Sequence, residues 1–256
     1  MTRLRLIPAL LGAAVLAACS GDGIQNIAGP TAGAYIKFYN FGLNAPGVNF
    51  YANDKKVTAI SSTTGVESTT GTAYGAVGNG GLYSSIAPGQ YAFSGRIAAA
   101  TDNGLQVAKL STTLAAGKYY SLFTAGFYDA NAKTMDSFVL EDAFPTDIDF
   151  TKTLVRFVNA SPNSNPMTLY IKNPATGDSA AVASNIAYKS GSAFIGGPGG
   201  VYDLTVRYPG SNTAVIVRTA VSLSNGHVYT ISSRGDMTVT STTATNRPQL
   251  DNTANR

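Results

Sequence analysis

Cysteine, histidine, tryptophan and charge are all scarce in this 256-residue chain: one Cys, one His, no Trp, and 12% charged residues. A single Cys excludes a disulfide framework and any multi-cysteine metal site. A single His excludes most histidine-based zinc chemistry. No Gly-x-Ser-x-Gly stretch occurs, so a nucleophile elbow is absent. No Asp-x-Asp-x-Asp-Gly loop occurs either; Asp129-Ala-Asn131 and Glu141-Asp142 are the nearest sources of calcium-binding oxygens. Lys55-Lys56 is the one basic pair, too little to track phosphates, and nucleic acid is not an expected partner.

Hydroxyls take the place of charge. The chain has 28 Thr and 22 Ser against 32 charged residues. Solubility therefore rests on hydroxyls and amides, and the abundance of Thr favours strands, because its branched Cβ suits a pleated surface.

The N-terminus reads as an address. Arg3 and Arg5 precede a short apolar run, Leu6 to Val15, followed by Leu16-Ala-Ala-Cys19 and then Ser20-Gly-Asp-Gly23. A charged start, an apolar middle and a small-residue cleavage site make a secretory signal. The run is shorter than the roughly 20 residues of a membrane-spanning helix. Leu-Ala-Ala-Cys resembles the bacterial lipobox, in which the Cys becomes the first mature residue and carries the lipid. The chain's one Cys stands at that position. Expected, then, are a signal peptide over 1–18, lipidation at Cys19 and a tether over 19–33. Ser20 in the second mature position resembles the sorting pattern for the outer membrane of a Gram-negative bacterium.

The remainder repeats. Tyr35-Ile-Lys-Phe-Tyr-Asn40 matches Leu154-Val-Arg-Phe-Val-Asn159, Ala87-Pro-Gly-Gln-Tyr91 matches Pro198-Gly-Gly-Val-Tyr202, and Leu114-Ala-Ala-Gly-Lys-Tyr-Tyr120 matches Leu223-Ser-Asn-Gly-His-Val-Tyr229. The order is kept, at offsets of 119, 111 and 109 residues. So long a period marks duplicated domains rather than a solenoid. Within each copy, alternating runs such as Tyr202-Asp-Leu-Thr-Val-Arg-Tyr208 are separated by Pro, Gly and Asn turns. This predicts an all-β fold of two tandem immunoglobulin-like antiparallel sandwiches, with no sustained helix after residue 20. Asp102-Asn-Gly104 predicts a hairpin turn with positive φ at Asn and Gly. The boundaries expected are 34–145 for the first sandwich, 146–152 for a linker, 153–239 for the second and 240–256 for a flexible polar tail.

Val155-Arg-Phe-Val-Asn-Ala-Ser-Pro162, Ala183-Ser-Asn-Ile-Ala-Tyr188 and the two Tyr-bearing strands after them resemble the domain of unknown function 4397 family. The first copy is more divergent, with Phe41-Gly-Leu in place of Ala-Ser-Pro. The resemblance implies an extracytoplasmic β-sandwich module, often repeated and often on lipoproteins; it implies no reaction and no catalytic residues.

Candidate chemistry is sparse. His227 takes the place of Lys118 and reads as surface solvation. Asp147 and Asp149 sit in the expected linker. Asn159 reads as the cap of a turn. Tyr119-Tyr120 must point to opposite faces of a strand. Tyr74 and Tyr83, beside or within a Gly/Ser/Thr-rich loop over 61–85, are the candidate ligand-binding residues, since outward Tyr among Ser and Gly suits adaptable recognition. The expectation is a non-catalytic, lipid-anchored envelope protein for binding, adhesion or scaffolding. It would need no cofactor or metal, and its partners would be a membrane and an extracellular polymer or protein. A carbohydrate-binding or enzyme-accessory module acting on cell-surface glycans stands as the alternative.

Overall fold

The computed structural model describes residues 32–58, 70–145 and 147–256. Strands β1 (Ala34–Asn40), β2 (Val48–Ala52), β3 (Lys55–Lys56), β4 (Ala76–Val77), β5 (Ser84–Ile86), β6 (Gly89–Ile97), β7 (Gln106–Leu114), β8 (Tyr119–Asp129) and β9 (Thr134–Glu141) build the first copy. The second copy follows the same plan. It comprises β10 (Thr153–Asn159), β11 (Met167–Lys172), β12 (Ser179–Ile186), β13 (Ser190–Gly191), β14 (Ile195–Gly197), β15 (Gly200–Arg207), β16 (Ala214–Leu223), β17 (Val228–Arg234) and β18 (Gln249–Ala254). There is no α-helix among the described residues.

Each copy is a sandwich of two sheets. The first pairs β4-β1-β8-β9, with β5 also on β1, against β3-β2-β6-β7; the second pairs β13-β10-β17-β18, with β14 also on β10, against β12-β11-β15-β16. One departure from a purely antiparallel sandwich recurs: β1 runs parallel to β8, and β10 parallel to β17. In each copy the chain leaves the first strand, crosses to build the facing sheet, and returns alongside that strand in the same direction.

The repeated residues hold equivalent places. Tyr91 and Tyr202 donate their hydroxyls to the carbonyls of Ala87 and Pro198, at 2.8 and 2.7 Å. Tyr120 and Tyr229 accept from the backbone N–H of Ala115 and Ser224, at 3.0 and 3.1 Å. Asn40 and Asn159 each turn the chain two residues on, accepting from Gly42 N–H at 3.3 Å and Ser161 N–H at 3.0 Å. An Asn side chain mimics a backbone turn in this way. The motif residues thus fasten strand ends.

Strand β15 alternates as its sequence does, with Tyr202, Leu204 and Val206 buried and Asp203, Thr205 and Arg207 partly exposed. Strands β1, β10 and β17 do not: nearly every residue in them is buried. Such strands must be covered on both faces. One face meets the facing sheet of its own copy. The other meets the opposite copy, so the two sandwiches share a third core of Tyr39, Phe41, Phe123, Ala125 and Phe138 with Val158 and Ala160. Tyr39 stacks on Phe123 with 4.3 Å between ring centroids, and Phe123 on Phe138 with 4.8 Å. Residues 32–256 accordingly form one compact unit.

Three sequence expectations change. The polar stretch 240–256 contains β18, which pairs antiparallel with β17 over Tyr229–Arg234. Its low apolar content reflects position: Leu250 alone enters the second core, while Asp251 and Asn255 meet polar partners. The described part of the expected 61–85 loop is also built structure, with β4, a 3-10 turn at Gly78–Gly81 and β5; residues 61–69 lie outside the described residues. The hairpin at Asp102-Asn-Gly104 is present, but the positive φ angles fall on Asp102 (59°) and Gly104 (79°). The loop closes further out, where Gly104 N–H donates to Ile97.

Candidate functional site

A buried polar cluster lies at the junction of the copies. Lys37 and Arg156 occupy equivalent places, Lys37 opposite Ser121 on β8 and Arg156 opposite Thr230 on β17. Both side chains point out of their own sandwich and are almost fully buried. Each crosses to the other copy. Lys37 Nζ donates to the carbonyl of Ala254 at 2.6 Å, and Arg156 donates to the carbonyl of Glu141 at 3.2 Å. Ala254 and Glu141 themselves hold equivalent places, opposite Tyr229 and Tyr120. Lys37 Nζ lies 4.5 Å from the ring centre of Tyr83, and the Arg156 guanidinium 4.8 Å from that of Phe194, so the cation–aromatic contacts repeat too. These reciprocal contacts are what an approximate two-fold relation between the copies produces.

Charge breaks the symmetry. Asp142, fully buried, pairs with Arg156 across the junction. Its second oxygen accepts from Ser121 Oγ at 2.8 Å and from the Tyr83 hydroxyl at 2.5 Å. At the matching place the second copy has Asn255, which accepts from Thr230 Oγ1 at 2.8 Å and donates to the Tyr83 oxygen at 2.6 Å. Two cations therefore share one carboxylate. Burial lowers the Lys37 ammonium from 10.5 to about 8; Asp142 opposes that shift and Arg156 adds to it. The Tyr83 hydroxyl is pushed well up, first by burial and then by Asp142.

Lys37 makes stability depend on pH in a definite sense. Its folded pKa lies below its unfolded one, so between pH 8 and 10.5 unfolding takes up a proton and stability rises with pH. Tyr39, Tyr83 and Tyr188 have raised folded pKa values and act the opposite way above pH 10. Urea denaturation should show a gain of roughly 2 kcal/mol from pH 7.5 to 9.5, and Lys37→Met should flatten it. A wild-type stability that is level or falling over that interval would mean that Lys37 stays hydrated.

Two further bridges flank the cluster. Arg234 of the second copy pairs with Asp251 and lies 4.8 Å from the ring centre of Tyr74 in the first. Gly75 permits this approach: a Cβ there would sit 2.7 Å from the guanidinium carbon. Tyr188, the counterpart of Tyr74, donates to Asp136 of the first copy at 3.1 Å, and Lys189 pairs with the same carboxylate at 2.9 Å.

Both candidate ligand-binding tyrosines thus sit at this junction, half-buried, rather than on an open loop. Cys19 lies outside the described residues. Tyr120 turns into the first core, whereas Tyr119 turns out and stacks on Tyr35 with 4.6 Å between ring centroids. His227 is exposed, its Nδ1 3.0 Å from the Asn225 carbonyl oxygen. The Asp149 carboxyl is held down at about 2 by hydrogen bonds from Thr151 and Lys152. Asp129 accepts from the backbone of Asn131 and Ala132 and so caps its own turn. Glu141 pairs with Lys118. No group of metal-ligating side chains gathers among the described residues. Asp142 and Asn255 escaped sequence reasoning as junction residues; the available signal was a cation standing at the same place in two otherwise apolar strands.

The family model "Domain of unknown function (DUF4397)" matches the sequence at residues 34–170 and again at 153–255. The chain belongs to the DUF4397 family. The second DUF4397 match ends at the last residue but one and so includes β18. No curated protein sequence matches the chain. Among solved structures, a leucine-rich repeat protein from Bacteroides thetaiotaomicron aligns over 80% of this chain at 10% identity, with a TM-score of 0.21. This chain spans 26% of that protein's length. A candidate cell-adhesion protein from Bacteroides ovatus aligns over 88% of this chain and 96% of its own length, at 12% identity and a TM-score of 0.26. At such TM-scores neither likeness bears on the role of this DUF4397 pair.

Proposed function

We propose that the chain is a non-catalytic envelope module, held at the outer membrane of a Gram-negative bacterium by a lipid on Cys19 and presenting its paired sandwiches to an extracellular polymer or protein. The observation that carries this reading is the use to which the repeated ionic groups are put. Lys37, Arg156, Asp142 and Tyr83 face one another across the junction and join two sandwiches into one body. They serve as fasteners, which suits a rigid display or scaffold element. The anchor motif supports the location: a lipid adds roughly 0.8 kcal/mol of membrane affinity per buried CH₂, and no described helix is long and apolar enough to span a membrane.

Radiolabelled palmitate tests the anchor. The wild-type chain should incorporate label and sediment with membranes, and Cys19→Ala should do neither. Label retained in Cys19→Ala would refute the lipoprotein reading.

A further inference from the structure

The second sandwich is open along one side. There β12, at the edge of one sheet, approaches β14, at the edge of the other, and a cleft of about 420 Å³ runs between them. That is a usual size for a small-molecule site. Its floor is the core itself, with Val155, Val182 and Leu223 among the lining residues.

The opening coincides with a difference between the copies. At the end of β14, Gly197 stands opposite Thr153. The first copy has Ile86 in that register, opposite Ala34, and Ile86 packs into the first core. A Cβ at Gly197 would meet nothing within 4 Å. Two residues earlier, Ile195 borders the cleft and stays 42% exposed. In that register one copy packs an isoleucine against its core and the other has a glycine beside the cleft, with an exposed apolar side chain at its mouth.

We propose that this cleft takes the hydrocarbon chain of a single-chain amphiphile with an uncharged, hydroxyl-bearing headgroup, supplied from outside the protein. The apolar walls select the chain. The rim selects the head: Asp178 is the one acidic side chain lining the cleft, amid Asn, Thr and Ser, and no Lys or Arg lines it. A carboxylate or phosphate head would face like charge there, whereas a glycerol head finds hydroxyl and amide partners. This goes beyond the binding role proposed above, whose partner is a polymer or protein. It does not depend on the anchor, whose palmitate test reads a different event.

Photolabelling of the full-length protein in its membranes decides the matter, with a diazirine-bearing analogue of glycerol monolaurate as the probe. Label is expected on peptides covering 179–186 and 195–197. Glycerol monolaurate should compete at least tenfold better than laurate. Gly197→Ile, which places the first copy's isoleucine in open space beside the cleft, should lower labelling at least tenfold. Label elsewhere, equal competition by laurate, or full labelling of a folded Gly197→Ile protein would each overturn the proposal. If Gly197→Ile does not accumulate, the wild-type map and the competition ratio decide alone. Labelling that rises severalfold in Cys19→Ala would also overturn it, since the protein's own lipid would then be the occupant.

Discussion

Asp142→Ala should destabilise the protein by about 3–5 kcal/mol, the usual cost of removing one partner from a buried ion pair. The substitution does more than delete a contact. Arg156 is left with no carboxylate in a site where Lys37 is already a second cation. Ser121 and Tyr83 lose the acceptor they share. Asp142→Asn should cost less, because Asn255 shows that an amide fits the equivalent place beside Thr230 and Tyr83. Joint replacement by Asp142→Leu and Arg156→Met should recover much of the loss, since well-packed apolar residues often match a buried pair. Asp54, whose side chain is 85% exposed in its pair with Arg96, supplies the contrast: Asp54→Asn, which removes the charge and keeps a residue suited to the positive φ of 65° there, should be nearly silent. Urea midpoints at one pH compare all four variants. An Asp142→Ala midpoint close to that of Asp54→Asn would mean that water reaches the junction and the copies do not pack as described.

Much of the fold was legible in the sequence because strand alternation and turn residues are local. The repeat was legible too, and it aligned Lys37 with Arg156 correctly. What could not be read was the second face of β1 and β10. A Lys or Arg in an apolar strand ordinarily marks the solvent side, and nothing within either strand shows a buried partner for it. Their partners are far away in the chain: Lys37 reaches a carbonyl 217 residues on. Asp142 was readable only as a possible oxygen ligand beside Glu141. Tyr83 looked like a loop residue because the Gly-rich stretch around it hides β4 and β5, strands of two and three residues that are held in place by β1.

The tail shows the same blindness to distant partners, and its removal is expected to have the largest effect of all. A chain ending at Val239 loses β18 and leaves β17 as an unpaired edge, although β17 is buried along its whole length. Leu250 leaves the second core and Asp251 leaves Arg234 without its carboxylate. At the junction, Lys37 loses the Ala254 carbonyl, while Thr230 and Tyr83 lose Asn255. An open strand edge of that kind also invites pairing between chains. The truncated protein should therefore aggregate or melt at least about 10 °C below the intact one, since each kcal/mol moves the midpoint by about 2–4 °C at this size. A synthetic peptide covering 245–256 should restore part of the loss in trans, and the same peptide carrying Asn255→Ala should restore less, because it refills the ladder without the bond to Tyr83. Circular dichroism melts with and without peptide measure both effects. A truncated chain that melts with the intact protein would show that 240–256 is the dispensable polar tail its composition suggests, and that Lys37 finds its acceptor elsewhere.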